Sequence, residues 1–400
     1  MRLGVSMLAI HTPGGIGRYA RILGALLLTR FDGELFLFLQ HESDLERIIS
    51  ELPESERQQF TLRQNTHLIL SKYPHVIRYL LHQWELPLRF KGLSLDIYLD
   101  PDIILPPVRA RKKCIVVHDV TPFTNPWFLG LKARIIYGLS SAQSVRSTDC
   151  IICVSEKTRK GLAEIFPDEA RKMLVLDSCL SPKFYEYSRR GYQHADEVRV
   201  DTSFGEVSIK RPFILYVGDE GPRKNVSTLL KAFHLLRQKG YPHKLVMVGG
   251  IAKRPAERFL RGREVVVSTG FWVSIPADEP PILRLGKVPD SSLVGLYRHA
   301  DVVPLVSLEE GFGYPALEAI AFRAPTVVPE GSPMAERGGP GVITVSDPKE
   351  PFLVADKLEE AIRLSEVSGI GAWAFADREY YSPERYFSDL LSILTALISD

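Results

Sequence analysis

The sequence has few cysteines, no long apolar stretch and almost no excess of either charge. Its 400 residues include four cysteines, too few for a disulfide scaffold, so we expect reduced thiols and a cytoplasmic protein. No apolar run approaches the roughly 20 residues that a membrane-spanning helix needs. The short N-terminal run Leu3–Ile10 has no cleavage site after it and is expected to be a strand. A formal net charge of +2 gives no reason to expect bulk binding of nucleic acid.

Length and periodicity predict two α/β domains. A chain of 400 residues exceeds one typical core. Short strand-like runs alternate with amphipathic helical stretches in the first half, and a second such series, with a weaker run at Val265–Val267, starts at Phe213. We therefore expect doubly wound parallel sheets in both halves, with ligands at the carboxyl ends of the strands. The predicted division is a first domain over 1–195, a linker over 196–210, a second domain over 211–380 and a last helix over 381–400.

The most informative segment runs from Ser307 to Ala319. It places two carboxylates, Glu310 and Glu318, on either side of a Gly-Phe-Gly-Tyr-Pro turn that leads into a helix, with Pro315 at the first helical position. The glycines allow close approach of a ligand, and the helix N-terminus offers free N–H groups. Such a cradle suits a polyhydroxylated anion such as a sugar nucleotide. The alternative is a capped helix that carries two surface glutamates.

A second segment, Phe213 to Asn225, reads as a strand, a Gly-rich loop and a helix start. Arg223 and Lys224 are adjacent on this loop, which we expect to face solvent. A guanidinium can bind two phosphate oxygens at once and a lysine supplies a point charge, so the pair could neutralise a diphosphate without a metal. Asp219 on the same loop would be unfavourable for this unless it points away. The alternative is a solvated pair of surface cations.

Three smaller features complete the pattern. Gly14–Tyr19 is a Gly-rich turn between the first strand and a helix, and His118 follows a strand, where site residues of such sheets usually lie. Cys150 and Cys153 have redox or metal spacing, but positions three apart on a strand face opposite sides, so buried reduced thiols are expected.

Glu310–Ala319 resembles the Glu-x7-Glu signature of the retaining nucleotide-sugar glycosyltransferases of family GT4. Further motifs of that family are similar to Gly14–Tyr19, His118–Pro122, Pro222–Asn225 and Leu285–Asp290. The resemblance implies the GT-B fold, in which two doubly wound Rossmann-like domains face each other across a cleft and a C-terminal helix crosses back to the first domain. The sequence departs from the family at Tyr314, usually Leu, and at Arg323, usually Gly.

The resemblance also implies roles for individual residues. Arg223 and Lys224 would hold the donor diphosphate and stabilise the leaving group, while Glu310 and His118 would contact the donor sugar. Glu318 would accept hydrogen bonds from the ribose hydroxyls. The donor-binding residues implied in this way are Gly15, Gly17, Val288, Gly311, Phe312, Gly313, Tyr314, Leu317 and Glu318.

The implied activity is retaining transfer of a hexose from a UDP- or GDP-linked donor to a saccharide or lipid-linked saccharide acceptor, as in polysaccharide biosynthesis. No metal or cofactor is expected. Two other functions stay open: a sugar-nucleotide epimerase of the same fold, or a non-catalytic protein that binds sugar nucleotides. The segment Tyr79–Leu88, with the cations Arg78, Arg89 and Lys91, suggests peripheral contact with the inner face of a membrane. The alternative there is an ordinary amphipathic core helix.

Overall fold

The chain folds into two compact units that are discontinuous in sequence. The computed structural model describes residues 1–12, 14–73, 81–128, 131–191, 195–203, 205–250, 281–368 and 378–399. The first unit comprises Met1–Glu186 and Glu379–Asp400, and the second comprises Tyr187–Arg378. The strand predicted at Val265–Val267 lies outside the described residues.

The first unit is built on a seven-stranded parallel sheet in the order β3-β2-β1-β4-β5-β6-β7. Its strands are β1 Arg2–Ser6, β2 Glu34–Leu39, β3 Thr66–Leu70, β4 Leu95–Asp100, β5 Ala110–Val117, β6 Cys150–Cys153 and β7 Met173–Val175. Most strand residues are buried apolar side chains, as a parallel sheet covered on both faces requires. All four cysteines are buried and free. The strand order reverses between β1 and β4, which opens a crevice at their carboxyl ends.

Helices cover this sheet. The α-helices of the first unit are Gly15–Arg30, Asp44–Ile49, Glu54–Gln58, Leu86–Arg89, Thr121–Thr124, Leu131–Ser147, Glu156–Ile165, Pro182–Arg189 and Pro383–Ser399. Short 3-10 turns at Leu8–His11, Pro126–Phe128, Pro167–Lys172 and Arg378–Tyr381 and a π-helical turn at Leu81–Glu85 complete the unit. Among the described residues, no helix is both long enough and apolar enough to cross a membrane.

The last helix, Pro383–Ser399, belongs to the first unit, although it follows the second unit in sequence. The Tyr386 hydroxyl donates a hydrogen bond to the Tyr19 hydroxyl at 2.5 Å, and Arg30 pairs with Glu384 at 2.7 Å. Leu390 is buried on the same helix. The expected return of the C-terminal helix to the first domain is confirmed.

The second unit contains two three-stranded parallel sheets, β10-β11-β12 and β13-β14-β15. Its strands are β8 Glu197–Thr202, β9 Gly205–Lys210, β10 Phe213–Val217, β11 Lys244–Val248, β12 Ile282–Gly286, β13 Val303–Pro304, β14 Thr326–Pro329 and β15 Val342–Val345. A parallel bridge between Ile214 and Val302 connects the two sheets. The β10 and β13 ends of the two sheets are therefore neighbours, which is again a doubly wound arrangement.

The helices of the second unit separate its strands in the expected alternation. They are Val226–Gln238, Asp290–His299, Tyr314–Ala321, Pro333–Arg337 and Pro351–Ser368, and a 3-10 turn spans Pro222–Lys224. One apolar cluster joins the helices Val226–Gln238 and Pro351–Ser368 to strands of both sheets. The two sheets therefore share a single core.

Most of the predicted linker, 196–210, forms an antiparallel hairpin of β8 and β9. Val198, Val200 and Ile209 are buried, while most residues between them are exposed. This alternation is the pattern of a half-buried strand. The Asp201 amide donates to Ser292 Oγ at 3.0 Å, so the hairpin packs on the helix Asp290–His299.

The helix Tyr314–Ala321 ends in a left-handed residue, Arg323, with φ 65°. The Ala324 amide donates to the Ala319 carbonyl at 2.9 Å, and the Arg323 amide donates to the Ile320 carbonyl at 2.9 Å. This pair of bonds defines the Schellman helix end, whose left-handed position favours glycine. The geometry explains why the resembling family usually has Gly where this chain has Arg323.

We predict that Arg323→Gly stabilises the protein. A left-handed conformation costs a residue with a Cβ about 1 kcal/mol relative to glycine. For a unit of this size that corresponds to a rise of about 2–4 °C in melting temperature. Arg323→Ala is the control, since alanine keeps the Cβ, and it should give no such rise. Equal melting temperatures for the Gly and Ala variants would contradict the explanation.

Candidate active site

A loop after β10 carries the two cations that the sequence analysis singled out. The Gly218 amide donates to the Val248 carbonyl at 2.9 Å, and the Tyr216 hydroxyl donates to the Asp219 carbonyl at 2.5 Å. The Asp219 carboxylate accepts a hydrogen bond from the Gly221 amide at 2.8 Å. Asp219, which would disfavour phosphate binding if it pointed at the ligand, therefore closes a local turn of the loop.

Asn225 anchors the end of this loop. It adopts a left-handed conformation with φ 54°, which asparagine tolerates better than most residues. Its Nδ2 group donates to the carbonyls of Val306 at 3.1 Å and Pro348 at 2.6 Å, and its Oδ1 accepts from the Thr228 hydroxyl at 2.7 Å. The sequence motif includes Asn225 but does not predict its function, because its partners lie far along the chain.

Arg223, Lys224 and Glu310 form one charge cluster. Lys224 Nζ lies 2.7 Å from Glu310 Oε2, and Arg223 Nη1 lies 3.7 Å from the same oxygen. Arg223 Nη1 also donates to the Glu309 carbonyl at 2.9 Å, and its own carbonyl accepts from the Leu308 amide at 2.8 Å. The cation loop and the segment before the Gly-Phe-Gly-Tyr-Pro turn are thus held together by side-chain and backbone bonds.

The cluster is less exposed than the sequence predicts. The exposed side-chain fraction is 28% for Arg223, 15% for Glu310 and 10% for Lys224, so the expectation that both cations face solvent is wrong for Lys224. Burial opposes ionisation of Glu310, but the charges of Lys224 and Arg223 outweigh it and hold its pKa below the ordinary value. The carboxylate is therefore ionised at neutral pH, and the cluster keeps one net positive charge.

The turn after Glu310 depends on glycine. Gly313 precedes the helix Tyr314–Ala321 with φ 90°, and a Cβ there would lie 3.0 Å from Met334 Cγ. Phe312 and Tyr314 flank it with their rings edge to face at 5.0 Å, and both are largely buried, as is Gly311. The turn is packed from its interior side and has a fixed shape.

Glu318 lies one turn into this helix and points inward. It is 1% exposed, and its Oε2 accepts a hydrogen bond from the Tyr297 hydroxyl at 2.9 Å. Leu317 beside it is fully buried. Tyr297 was not assigned a function from the sequence, although it belongs to the helix that follows Val288. Val288 itself is half-buried after β12.

In the first unit, His118 follows β5. Its Nε2 lies 2.8 Å from the Pro101 carbonyl, and its ring meets the ring of Tyr19 edge-on at 4.9 Å. Burial lowers the pKa of His118, so the ring is neutral at pH 7. The Nε2–H group then donates to Pro101, and Nδ1 carries a lone pair that can accept a hydrogen bond.

Asp100-Pro101-Asp102 is an Asp-x-Asp triplet, a spacing that suits a divalent cation. In the structure, Asp100 Oδ2 accepts from His82 Nε2 and from the Tyr98 hydroxyl, both at 2.6 Å. Asp102 Oδ2 accepts from the Tyr137 hydroxyl at 3.0 Å. These carboxylates hold the turn whose carbonyl meets His118. Across the described ranges, no three His, Cys, Asp or Glu side chains are grouped to hold a metal ion.

Gly15 and Gly17, two glycines of the first unit, have different surroundings. A Cβ on Gly17 would lie 2.0 Å from the Thr12 carbonyl oxygen, so close backbone packing requires glycine there. Gly15 begins the helix Gly15–Arg30 and is exposed. The guanidinium of Arg18 lies 4.5 Å from the ring centre of Phe184. Packing alone thus explains Gly17, while Gly15 remains available to a ligand.

Comparison with known proteins shows a likeness to one family around the cluster. Residues 201–368 match the sequence model described as "Glycosyl transferases group 1", and this range includes Arg223, Lys224, Glu310 and Glu318. This part of the chain therefore resembles the group 1 glycosyltransferases. The chain is also similar to "O-antigen chain mannosyltransferase B" of Escherichia coli, with 27% identity over 352 residues that cover 84% of each chain.

Solved structures confirm the fold of the chain. A glycosyltransferase from Rickettsia africae ESF-5 superposes with a TM-score of 0.63 at 14% identity, over 100% of this chain and 99% of the other. Anabaena Alr3699/HepE in complex with UDP and glucose gives a TM-score of 0.63 at 13% identity, over 99% of this chain and 100% of the other. The expected GT-B class, with two Rossmann-like domains, is therefore confirmed.

We predict that Glu310→Gln lowers stability at pH 7, because Lys224 would stay buried without its counter-charge. The free energy of unfolding should fall by about 2 kcal/mol, which is less than the cost of breaking a fully buried ion pair. The folded pKa of Glu310 lies below its ordinary value of 4.5. The extra stability of the unaltered protein over the variant is therefore fully present above that pH. It disappears as the pH falls through the lowered pKa. Urea unfolding of both proteins from pH 7 to pH 3 measures this, and equal stability at pH 7 would refute it.

Proposed function

We propose that this protein is a glycosyltransferase that moves a hexose from a UDP- or GDP-linked donor to a saccharide or lipid-linked saccharide acceptor in polysaccharide biosynthesis, with retention of configuration. The observation that carries the proposal is the Arg223–Lys224–Glu310 cluster beside the Gly311–Gly313 turn. The name of the E. coli relative favours mannose as the hexose.

The cluster suits a departing nucleoside diphosphate. Arg223 is partly exposed and has a planar fork that can bind two phosphate oxygens, while Lys224 supplies a point charge. Both cations are held in place before any ligand arrives, so little reorganisation is needed when negative charge develops on the leaving group. In this proposal two cations neutralise the diphosphate and no metal is required.

The remaining residues would orient the donor. Glu318 lies one turn into its helix and would accept hydrogen bonds from the ribose hydroxyls, with Tyr297 fixing its carboxylate. Glu310 would sit beside the hexose, at the level of the Gly311–Gly313 turn. His118 would accept a hydrogen bond from a sugar hydroxyl through Nδ1, because its Nε2–H group is directed to Pro101. Retention would follow from attack by an acceptor positioned on the face from which the phosphate departs, or from a covalent intermediate.

The activity is tested by incubating the purified chain with UDP- and GDP-linked hexoses, GDP-mannose among them, and a saccharide acceptor, in the presence of EDTA. We predict a product larger than the acceptor by one hexose unit, formed at the same rate with and without the chelator. An isomeric nucleotide sugar would indicate an epimerase instead, and binding without product would indicate a non-catalytic protein. Loss of activity with EDTA that Mg²⁺ restores would refute the metal-free account.

Three variants separate the proposed roles of the site residues. Arg223→Gln and Glu318→Gln should weaken nucleoside diphosphate binding about tenfold or more, because each removes a charged hydrogen bond. Glu310→Gln should keep that affinity within a few-fold and slow transfer, since it leaves both cations in place. Calorimetry and turnover rates measure this, with Arg199→Gln as the matched control because Arg199 is 78% exposed on the hairpin. Nucleotide binding lost in Glu310→Gln but kept in Glu318→Gln would reverse the assignment.

We also propose that the first unit contacts a membrane surface, as a lipid-linked acceptor would require. Trp84 and Leu88 are 71% and 70% exposed, whereas Leu81 and Leu86 of the same segment are buried in the core. The alternative, an ordinary amphipathic core helix, explains the buried Leu81 and Leu86 but not the exposed Trp84 and Leu88. Exposed tryptophan and leucine on one side of a short helical segment are typical of interfacial binding. Arg78 and Tyr79 lie outside the described residues.

Neighbouring elements add to this surface. Leu131 and Ile135, at the start of the helix Leu131–Ser147, are 72% and 54% exposed. Leu105 packs against both the core cluster beneath this helix and the cluster beneath Leu81–Arg89, so the two elements cover the same face of the sheet. Lys91 and Arg111 are exposed in the same unit and would favour anionic lipid.

We predict that a double variant, Trp84→Ser with Leu88→Ser, reduces sedimentation with vesicles that contain phosphatidylglycerol about fivefold or more, because it removes the apolar side chains that would enter the lipid. Phe352→Ser is the matched control, since Phe352 is 68% exposed in the second unit. The control should bind as the unaltered chain does. No vesicle binding by the unaltered chain, or equal losses in both variants, would overturn the proposal.

A further inference from the structure

A buried ion pair, Glu220 with Arg284, lies beside the proposed donor site but takes no part in the proposed contacts with the donor. Arg284 is on β12 and Glu220 is on the loop after β10; Arg284 Nε lies 2.9 Å from Glu220 Oε1. The exposed side-chain fractions are 4% and 3%. Burying two charges costs several kcal/mol per ion before they attract each other, by order of magnitude. Such a pair therefore calls for an explanation beyond stability.

The hydrogen bonding of the pair is incomplete. Within the described part of the chain, Glu220 Oε2 receives no hydrogen bond. A buried pair that lacks full hydrogen bonding adds little to stability, and apolar residues of similar volume can often replace it without loss. The pair therefore contributes mainly by fixing the positions of the two segments that it joins.

Among the described residues, the space beside the pair is too small for a large ligand. The cavity beside it holds about 10 Å³, and its lining includes Tyr216, Gly218 and Gly286. That volume is about the size needed for one water molecule. Neither a nucleobase nor a hexose fits there, so the pair acts on the segments that it joins.

Those segments are the two halves of the proposed nucleotide site. Glu220 is three residues before Arg223 on the diphosphate loop. Arg284 lies on the strand that leads directly into Gly286 and Val288. These two residues belong to Leu285–Asp290, the stretch that the family resemblance assigns to the nucleotide base. Gly218 and Asn225 fix the two ends of the loop to other elements, and Glu220 fixes its middle to β12.

We infer that Glu220 and Arg284 are positioning residues that set the spacing between the base-binding stretch and the diphosphate loop. The inference rests on the proposed function. A nucleoside diphosphate that reaches both segments gains from their linkage, since its second half binds at a high effective concentration. When the spacing is wrong, this gain is lost, while a fragment that touches one segment binds as before.

The decisive variant is the double substitution Glu220→Leu with Arg284→Met, which replaces the pair by apolar side chains. Calorimetry measures the binding of UDP, GDP and inorganic pyrophosphate to this variant and to the unaltered chain, and thermal unfolding reports the fold. We expect the better-bound nucleoside diphosphate to lose about tenfold or more in affinity, because the linkage between the two segments is lost. Pyrophosphate affinity should stay within about twofold, because it touches one segment only. The melting temperature should be unchanged or higher.

A second variant, Arg284→Lys, keeps both charges and therefore the fold, but changes the length and shape of the contact. We expect the donor KM to rise about fivefold with kcat nearly unchanged, since a positioning residue alters binding of the donor and not the chemical step. A residue needed only for folding would change neither constant in the folded fraction.

Four results would overturn the inference. Unchanged diphosphate affinity in the double variant, or an unchanged KM in Arg284→Lys, shows that the pair does not position the site. Equal losses for nucleoside diphosphate and pyrophosphate show that the loop itself is damaged. If the unaltered chain binds neither UDP nor GDP, the proposed function fails together with this inference, whereas binding by the unaltered chain and the variants alike refutes the inference alone.

Discussion

The structure of the site depends on one carboxylate that compensates two cations. Lys224 and Glu310 are 86 residues apart in sequence and 2.7 Å apart in space, with Arg223 within 3.7 Å of the same oxygen. Two adjacent cations repel each other and are costly to bury, yet a diphosphate needs them close together. Glu310 resolves this conflict in the free protein, and its lowered pKa keeps it charged at neutral pH. One net positive charge remains to attract an anion.

The fold explains how such distant residues meet. β10 and β13 are neighbours through the bridge between Ile214 and Val302, although β11 and β12 come between them in the sequence. The loops that follow these two strands therefore emerge side by side at the carboxyl edge of the sheet. Asn225 and Gly313 then fix the shapes of the two loops, one through its amide and the other through its positive φ. The strand topology therefore brings the residues of the cluster together. Asn225 and Gly313 fix the loop conformations that set the distances within it.

The sequence predicted the regular elements well and the buried polar contacts poorly. The second alternating series begins with a strand at Phe213, as predicted, because apolar runs between polar turns leave little choice. The hairpin after residue 196 was missed because its alternation is short and half polar. The burial of Lys224 could not be foreseen, since its counter-ion is remote in sequence. Arg284 did give a signal: a charged residue within an apolar strand implies a buried partner.

The proposed function requires that Arg223 and Lys224 bind the diphosphate of the donor. A crystal structure of the chain with UDP or GDP bound would test this. We predict phosphate oxygens within hydrogen-bond distance of the Arg223 guanidinium and of Lys224 Nζ, beside the Gly311–Gly313 turn. A nucleotide whose phosphates lie away from both cations, with the Lys224–Glu310 pair untouched, would contradict it.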